Sequence, residues 1–347
     1  MKNKMVPPGP VPGDEGPGMS RRAFMKRYAL PAGIGMAASY LALAPEDFPL
    51  SLKDSTGMRS RPRPEIFRLR DFRVPGPAGK PPVGIGRRGS TGEKLKKALD
   101  AIGGLPHYIH KGDIVLIKPN VAFDRSPLLG ANSSPEILGE LVKILYRDCG
   151  AAEVRVTDNP IESPADCFAK SGIREAAEKW GGRIYLPDGN AFKILNTPGA
   201  RLIENWPFFS RPFLGVTKVI GLAPVKDHNL CMASMGLKNW YGLLGGDRSQ
   251  FHQDIHEVIS DLSIMIRPTL TVLDGTRVLM KSGPTGGDPS YVKDNDAVVA
   301  GLDQVAMDAW AFRNLLERKG PLPDYIARAG EKGGGSADYR GRTREVS

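Results

Sequence analysis

The chain is poor in the residues that build metal clusters and disulfide frameworks. Its 347 residues hold only three cysteines, Cys149, Cys167 and Cys231, and none are paired as C-x-x-C. That spacing excludes a ferredoxin-type cluster and a zinc ribbon. An odd count leaves at least one thiol free, and a Cys149–Cys167 disulfide stays open because spacing alone does not set connectivity. Histidine is also scarce, at five residues. No G-x-S-x-G elbow, H-E-x-x-H pair or internal repeat of 20–50 residues occurs. Charge of one sign does not dominate. Of 48 basic and 38 acidic residues, six and two fall before residue 45, so the rest carries a mild net +6. That favours small anions as partners but falls short of a nucleic-acid footprint, and no basic stripe interleaves with aromatics.

Long apolar runs are missing as well, with one short exception. The run Tyr28 to Ala44 is 17 residues, the lower limit for spanning a bilayer. It follows Ser20-Arg21-Arg22-Ala23-Phe24-Met25-Lys26. An arginine pair beside Phe and Lys, ahead of a Gly- and Ala-rich apolar segment, predicts a twin-arginine export signal. Pro31, Gly33 and Gly35 weaken a packed helix, and Ala42-Leu43-Ala44 suits signal cleavage. The expected partner is the twin-arginine translocation machinery, and the expected location is the periplasm or another exported site. An uncleaved N-terminal anchor is the second reading; otherwise no stable membrane span is expected. The predicted organisation is a signal over 1–44, an irregular linker over 45–82 and an α/β domain over 83–347.

Within the body, Ile66–Phe72 alternates as a short edge strand would, and Pro75–Gly89 reads as loop. Thr91–Ile102 fits a helix capped by Ser90 or Thr91. Asp113–Lys118 is the clearest buried strand. Pro135–Cys149 is an amphipathic helix, Glu153–Thr157 a strand, Asp166–Trp180 a helix and Ile184–Leu186 a strand. This βαβαβ alternation predicts a parallel-rich or mixed sheet with helices on both faces, Rossmann-like. Phe213–Leu222 and Thr269–Leu273 add buried strands, with a helix over Asp254–Met265 between them. Strand-like Ala297–Ala300 leads into a helix over Asp303–Leu316.

In such sheets the ligand crevice lies beyond the strand C-termini. Polar groups gather there: Lys118 and Asn120, Asp158 and Asn159, Lys226 to His228 with Lys238 and Asn239, and Asp274 leading to Gly283. Two ammonium groups about 6 Å apart repel by roughly 2–3 kcal/mol at an effective dielectric near 20. An acid or a bound anion must offset that. The predicted site therefore holds a small carboxylate or phosphate. Lys118, Asn120, Asp158, Asn239, Asp274 and Gly283 would bind it, and His228, Lys226 and Lys238 would carry chemistry. Gly283–Asp288 lacks the ending of a P-loop and reads as a tight substrate-side loop. His252 and His256 stand four apart. On one helix they would face the same side and make a candidate divalent-metal pair.

Several segments together resemble the domain-of-unknown-function 362 family. They are Ile117-Lys-Pro-Asn120, Lys226-Asp-His228, Gly236-Leu-Lys238-Asn239-Trp-Tyr-Gly242, Asp274-Gly275, Gly283-Pro284 and Gly301-Leu-Asp303-Gln-Val-Ala306-Met-Asp308. Order and spacing fit from about residue 83 onward, and Asp324–Gly335 and Arg340–Val346 resemble that family's closing segment. The resemblance implies an α/β domain similar in general fold to lactate-racemase-type proteins. Many relatives carry a ferredoxin-like iron–sulfur module; three cysteines cannot build one here, so no iron–sulfur cluster is expected. The family's activity is not established. Two functions are compatible with these residues: an exported enzyme or binding protein for a small anionic ligand, or a non-catalytic periplasmic accessory or redox-associated protein. In the second, Trp240-Tyr241 and Trp206–Phe209 would form an apolar contact patch.

Overall fold

The computed structural model describes residues 66–347. The twin-arginine segment with Arg21 and Arg22, and the chain up to residue 65, lie outside the described residues.

The first half runs β1 (Ile66–Phe67), β2 (Val83–Gly86), α1 (Thr91–Ala101), α2 (Leu105–Tyr108), β3 (Ile114–Lys118), α3 (Pro135–Arg147), β4 (Glu153–Thr157), α4 (Pro164–Lys170), α5 (Ile173–Glu178) and β5 (Arg183–Tyr185). The hairpin β6 (Phe192–Asn196) and β7 (Asn205–Phe209) follows, then β8 (Lys218–His228), β9 (Met232–Ser234) and α6 (Gly236–Asn239). The chain ends with α7 (Ile255–Met265), β10 (Leu270–Leu279), β11 (Val292–Gly301), α8 (Gln304–Asn314), α9 (Asp324–Glu331) and β12 (Thr343–Val346).

The main sheet has the order β12-β2-β11-β10-β8-β3-β4-β5, with β9 paired to the end of β8. Strands β10, β8, β3, β4 and β5 are mutually parallel, whereas β11 runs antiparallel to β10 and to β2. This is the expected α/β class, parallel-rich and mixed. Side chains alternate across the strands with a period of two. Ile220 and Leu222 face the core under α1, α3, α4 and α5. Ala223 and Val225 face the core under α6 to α9. Val219 joins a third core with Phe208, Phe213 and Trp240 below the small β1-β6-β7 sheet.

Local sequence explains the helix starts. Ser90 Oγ accepts the Glu93 N–H at 3.3 Å, and the Glu93 carboxylate accepts the Ser90 N–H at 2.7 Å, a closed capping box. Ser134 and Asp303 cap α3 and α8 from one side only, their side chains accepting the N–H groups of Ile137 and Ala306.

Four expectations need correction. The Pro75–Gly89 stretch contains β2, an inner strand of the sheet. Its glycines disguise it: a Cβ on Gly84 would sit 2.1 Å from Ala98 O, and one on Gly86 1.9 Å from Lys94 O, because α1 lies directly on this strand. The helix expected over Asp166–Trp180 is two helices, broken at Gly172, whose φ is +73°. The strand expected to end at Leu222 runs to His228. The apolar patch is not a surface: Trp240, Phe208 and Phe209 are fully buried. Residues before 83 also contribute to the body, through β1 and the buried Phe72, whose N–H bonds Arg267 O at 3.0 Å. The closing segment is ordered as α9 and β12, the latter parallel to β2.

Candidate functional site: a buried lysine–asparagine cluster at the strand ends

Parallel pairing aligns the C-termini of β3 and β4, and β8 runs on past them in the same direction. Lys118 ends β3, Asp158 follows β4, and Lys226 and His228 end β8. The short α6 brings Lys238 and Asn239 over them, Asn239 meeting Lys118 across 121 residues of sequence.

Lys118 is completely buried. Its Nζ donates to Asn239 Oδ1 at 2.7 Å and pairs with Asp158 Oδ1 at 2.9 Å. Asp158 also accepts the N–H groups of Val121 at 2.7 Å and Asn159 at 2.9 Å. Asn239 is saturated: Nδ2 donates to the carbonyls of Lys118 at 3.1 Å and Leu222 at 3.2 Å, and Oδ1 also accepts from Asn120 Nδ2 at 3.3 Å. Asn120 passes the network on, its Oδ1 accepting from Lys226 Nζ at 3.1 Å.

Lys226 is 1% exposed and has no carboxylate partner among the described residues. Its second acceptor is the Ala131 carbonyl at 2.6 Å, and Phe123 presents its ring 5.2 Å away. Burial first, then the charges of Lys238 and Lys118, hold its amine well below the usual lysine range. Burial likewise lowers Lys118, with Asp158 opposing, and lowers Lys238 and Arg248. Lys238 is half-buried with its Nζ 4.8 Å from the Tyr241 ring centre, and it makes no ion pair or hydrogen bond among the described residues.

His228 is buried, and its Nδ1 accepts the Leu230 N–H at 3.2 Å. Burial, with the nearby charges of Lys238, Lys226 and His252, pushes it down to about 2. A neutral ring with Nδ1 used as acceptor carries its proton on Nε2, which leaves His228 an N–H donor.

The other expected residues have partners of their own. Asp274 is buried and bonds the Thr276 N–H at 2.9 Å and hydroxyl at 2.6 Å, burial raising its carboxyl. The Gly283 N–H is committed to Asp227 Oδ2 at 3.1 Å, and a Cβ there would lie 1.8 Å from Asp227 O. Gly283 therefore lets its loop pack on the end of β8. His252 and His256 do not share a helix face, a correction to the metal pair. Arg248–Asp254 is a 3₁₀ turn and α7 begins at Ile255. His256 Nδ1 accepts the Tyr325 N–H at 3.3 Å, while the exposed His252 lies near His228 instead. Among the described residues no group of three or more His, Cys, Asp or Glu is arranged to hold a metal ion. All three cysteines are buried and free.

Sequence reasoning missed Arg248, and it named Asp308 only as the end of a family motif, without a role. Arg248 donates to the carbonyls of Asn159 at 2.9 Å and Pro160 at 3.0 Å, next to the ion pair. Asp308 is fully buried and accepts the N–H groups of Gly236 at 2.9 Å and Leu237 at 3.0 Å, anchoring α6. A cavity of about 1020 Å³ lies elsewhere, between α1, α3 and α5, and none of the cluster residues line it.

The arrangement is that of an α/β protein with a buried cationic rim. The chain belongs to the DUF362 family, a domain of unknown function, whose model matches residues 115–313. All the motif segments from Ile117 to Asp308 fall inside that match. A curated relative is the thylakoid-associated protein sll1697 of Synechocystis sp., 26% identical over 235 residues, covering 63% of this chain and 68% of the relative. Among solved structures, the lactate racemase apoprotein of Thermoanaerobacterium thermosaccharolyticum is similar at 14% identity and a TM-score of 0.38, covering 72% of this chain and 60% of that one. A Thermotoga maritima protein is similar at 13% identity and a TM-score of 0.34, covering 70% and 59%. The chain thus spans about three fifths of the length of those solved structures. Among the described residues no helix is long and apolar enough to cross a membrane.

Proposed function

We propose that the protein binds a small anionic ligand, a carboxylate or a phosphate, at the Lys118–Lys226–Lys238 rim, and acts on it as an enzyme. One observation carries this reading. Lys118, Lys226, Lys238 and Arg248 converge in a corner where, among the described residues, Asp158 is the one carboxylate whose charge acts on Lys118, Lys226 and Arg248, and Lys238 has no carboxylate against it. Positive charge in excess of its counter-charge favours an anion. Lys238 is the group available to meet it, since Lys118 is held by Asp158 and Asn239. His228 adds a neutral N–H donor suited to a carbonyl or phosphoryl oxygen. The arginine pair Arg21-Arg22 supports export by the twin-arginine route and work outside the cytoplasm.

Calorimetry with a panel of carboxylates and inorganic phosphate tests the site. Binding to the wild type that weakens at least about tenfold in Lys238→Met, with an almost unchanged Tm, is the expected result. No binding by the wild type, or equal binding by the variant, overturns the reading. Export is read by cell fractionation: replacing Arg21 and Arg22 together with lysine should hold the protein inside, and unchanged export of that variant refutes the signal.

A further inference from the structure

Lys226 differs from the other buried lysine in the kind of acceptors it meets. Lys118 faces a carboxylate, the usual arrangement for a charge taken out of water. Among the described residues, Lys226 faces only an amide oxygen and a backbone carbonyl. A protonated amine brings three donors, a neutral amine two donors and a lone pair. Two neutral acceptors match the second form and leave the lone pair free. On the same strand, two residues further and so on the same face, His228 holds an N–H donor. Lys238 supplies an unpaired cation beside both.

We propose that Lys226 is a nucleophile that forms an imine with a small acid bearing an aldehyde or ketone, a 2-oxo acid being the simplest case. This rests on the anion site proposed above and names its substrate class. Nζ bonds to the carbonyl carbon and the carbon–oxygen double bond opens. The two amine protons leave with that oxygen as water, and a carbon–nitrogen double bond remains. No oxidant or co-reactant is needed. Lys238 holds the acid's carboxylate and the His228 N–H faces the departing oxygen. Amine nucleophiles of this kind are activated by apolar surroundings and a neighbouring cation; here the Phe123 ring lies against Lys226 and Lys238 is the nearby cation.

The full chain is incubated with glyoxylate and cyanoborohydride near neutral pH, then digested and mapped by mass spectrometry. The imine, reduced by hydride, leaves carboxymethyllysine. Surface lysines, with values near 10.4, are mostly protonated and label slowly, more slowly still as pH falls. The expected result is preferential labelling of Lys226 that persists as the pH is lowered and is suppressed by glycolate, which has the carboxylate but no carbonyl. No preference for Lys226, or labelling there that falls with pH in step with surface lysines, overturns the proposal. Glycolate binding is measured in parallel without reductant. If glycolate binds and Lys226 stays unlabelled, the imine fails while the anion site stands. If glycolate does not bind and Lys226 stays unlabelled, both fail. Lys226→Arg should remove the adduct, and because the wild-type labelling pattern decides the matter, a variant that does not fold changes nothing.

Discussion

Lys118 and Asn239 bind each other twice: the Lys118 ammonium donates to Asn239 Oδ1 at 2.7 Å, and Asn239 Nδ2 returns a bond to the Lys118 carbonyl at 3.1 Å. One side chain thus fixes both the end of β3 and the head of its last residue. The same amide reaches Leu222 O on β8 and Asn120. Replacing Asn239 with Ala strands several of these groups away from water. Each buried polar group left unpaired costs about 1–3 kcal/mol, so a loss of about 3 kcal/mol or more is expected in urea unfolding. A loss within the range of an ordinary surface substitution would show that water fills the gap and the cluster is looser than these contacts imply.

The Lys118–Asp158 pair makes a sharper prediction. Both groups are buried, and Asp158 also anchors the loop through the Val121 N–H. Asp158→Asn keeps the shape but leaves the ammonium without a counter-charge, and breaking a buried pair from one side costs about 3–5 kcal/mol. Adding Lys118→Met removes the stranded charge. The double variant is therefore expected to be more stable than the two single losses predict, with a coupling of about 0.5–3 kcal/mol. Strictly additive losses in a double-mutant cycle would mean the two charges do not depend on each other.

Gly242 shows how tightly the chain closes over this pair. A Cβ at that position would lie 1.9 Å from Asp158 Oδ1 and 2.8 Å from Lys118 Nζ. Gly242→Ala must push the carboxylate off the ammonium. Overpacking alone costs about 1–3 kcal/mol, and the disturbed pair adds to it. Gly189 is the control, because nothing lies within 4 Å of a Cβ there. Gly189→Ala should be nearly neutral in thermal unfolding and Gly242→Ala clearly destabilising; similar effects at both positions would contradict the packing.

The cluster was legible where charged residues interrupt apolar strands. Lys118 ends four apolar residues, and Asp158 follows Glu153–Thr157, so the sheet rule alone put them on one rim. Asn239 and Lys238 stood out as polar groups among Gly, Leu and Trp. Arg248 gave no such signal, since its partners are backbone carbonyls some ninety residues away. The end of β8 was hidden for another reason. Pro224 and the charged Lys226-Asp227 look like a stop, but β3 pairing ends at Gly221, so Pro224 owes β3 no N–H. Beyond it β9 takes over as neighbour, Lys226 opposite Ser234. A single sequence does not display that handover.

Asp308 predicts a pH dependence. Its carboxyl receives the two N–H groups at the head of α6, the turn that carries Lys238 and Asn239. Burial pushes it up to about 7, against those N–H groups, which favour the charged form. Tyr325, packed nearby, is held well above its ordinary range, and its buried hydroxyl has no hydrogen-bond partner among the described residues. The folded chain therefore keeps a proton on Asp308 that the unfolded chain releases near 3.9. Stability from this group is fully present below that value and declines as pH rises through about 7, by at most about 1.4 kcal/mol per pH unit. Asp308→Asn imitates the protonated form and does not titrate. The stability of the wild type minus that of Asp308→Asn should thus fall between mildly acidic and neutral pH and then level off above the folded-state value. A difference that stays flat, or rises with pH, would mean that the N–H groups of Gly236 and Leu237 outweigh burial and keep Asp308 charged throughout.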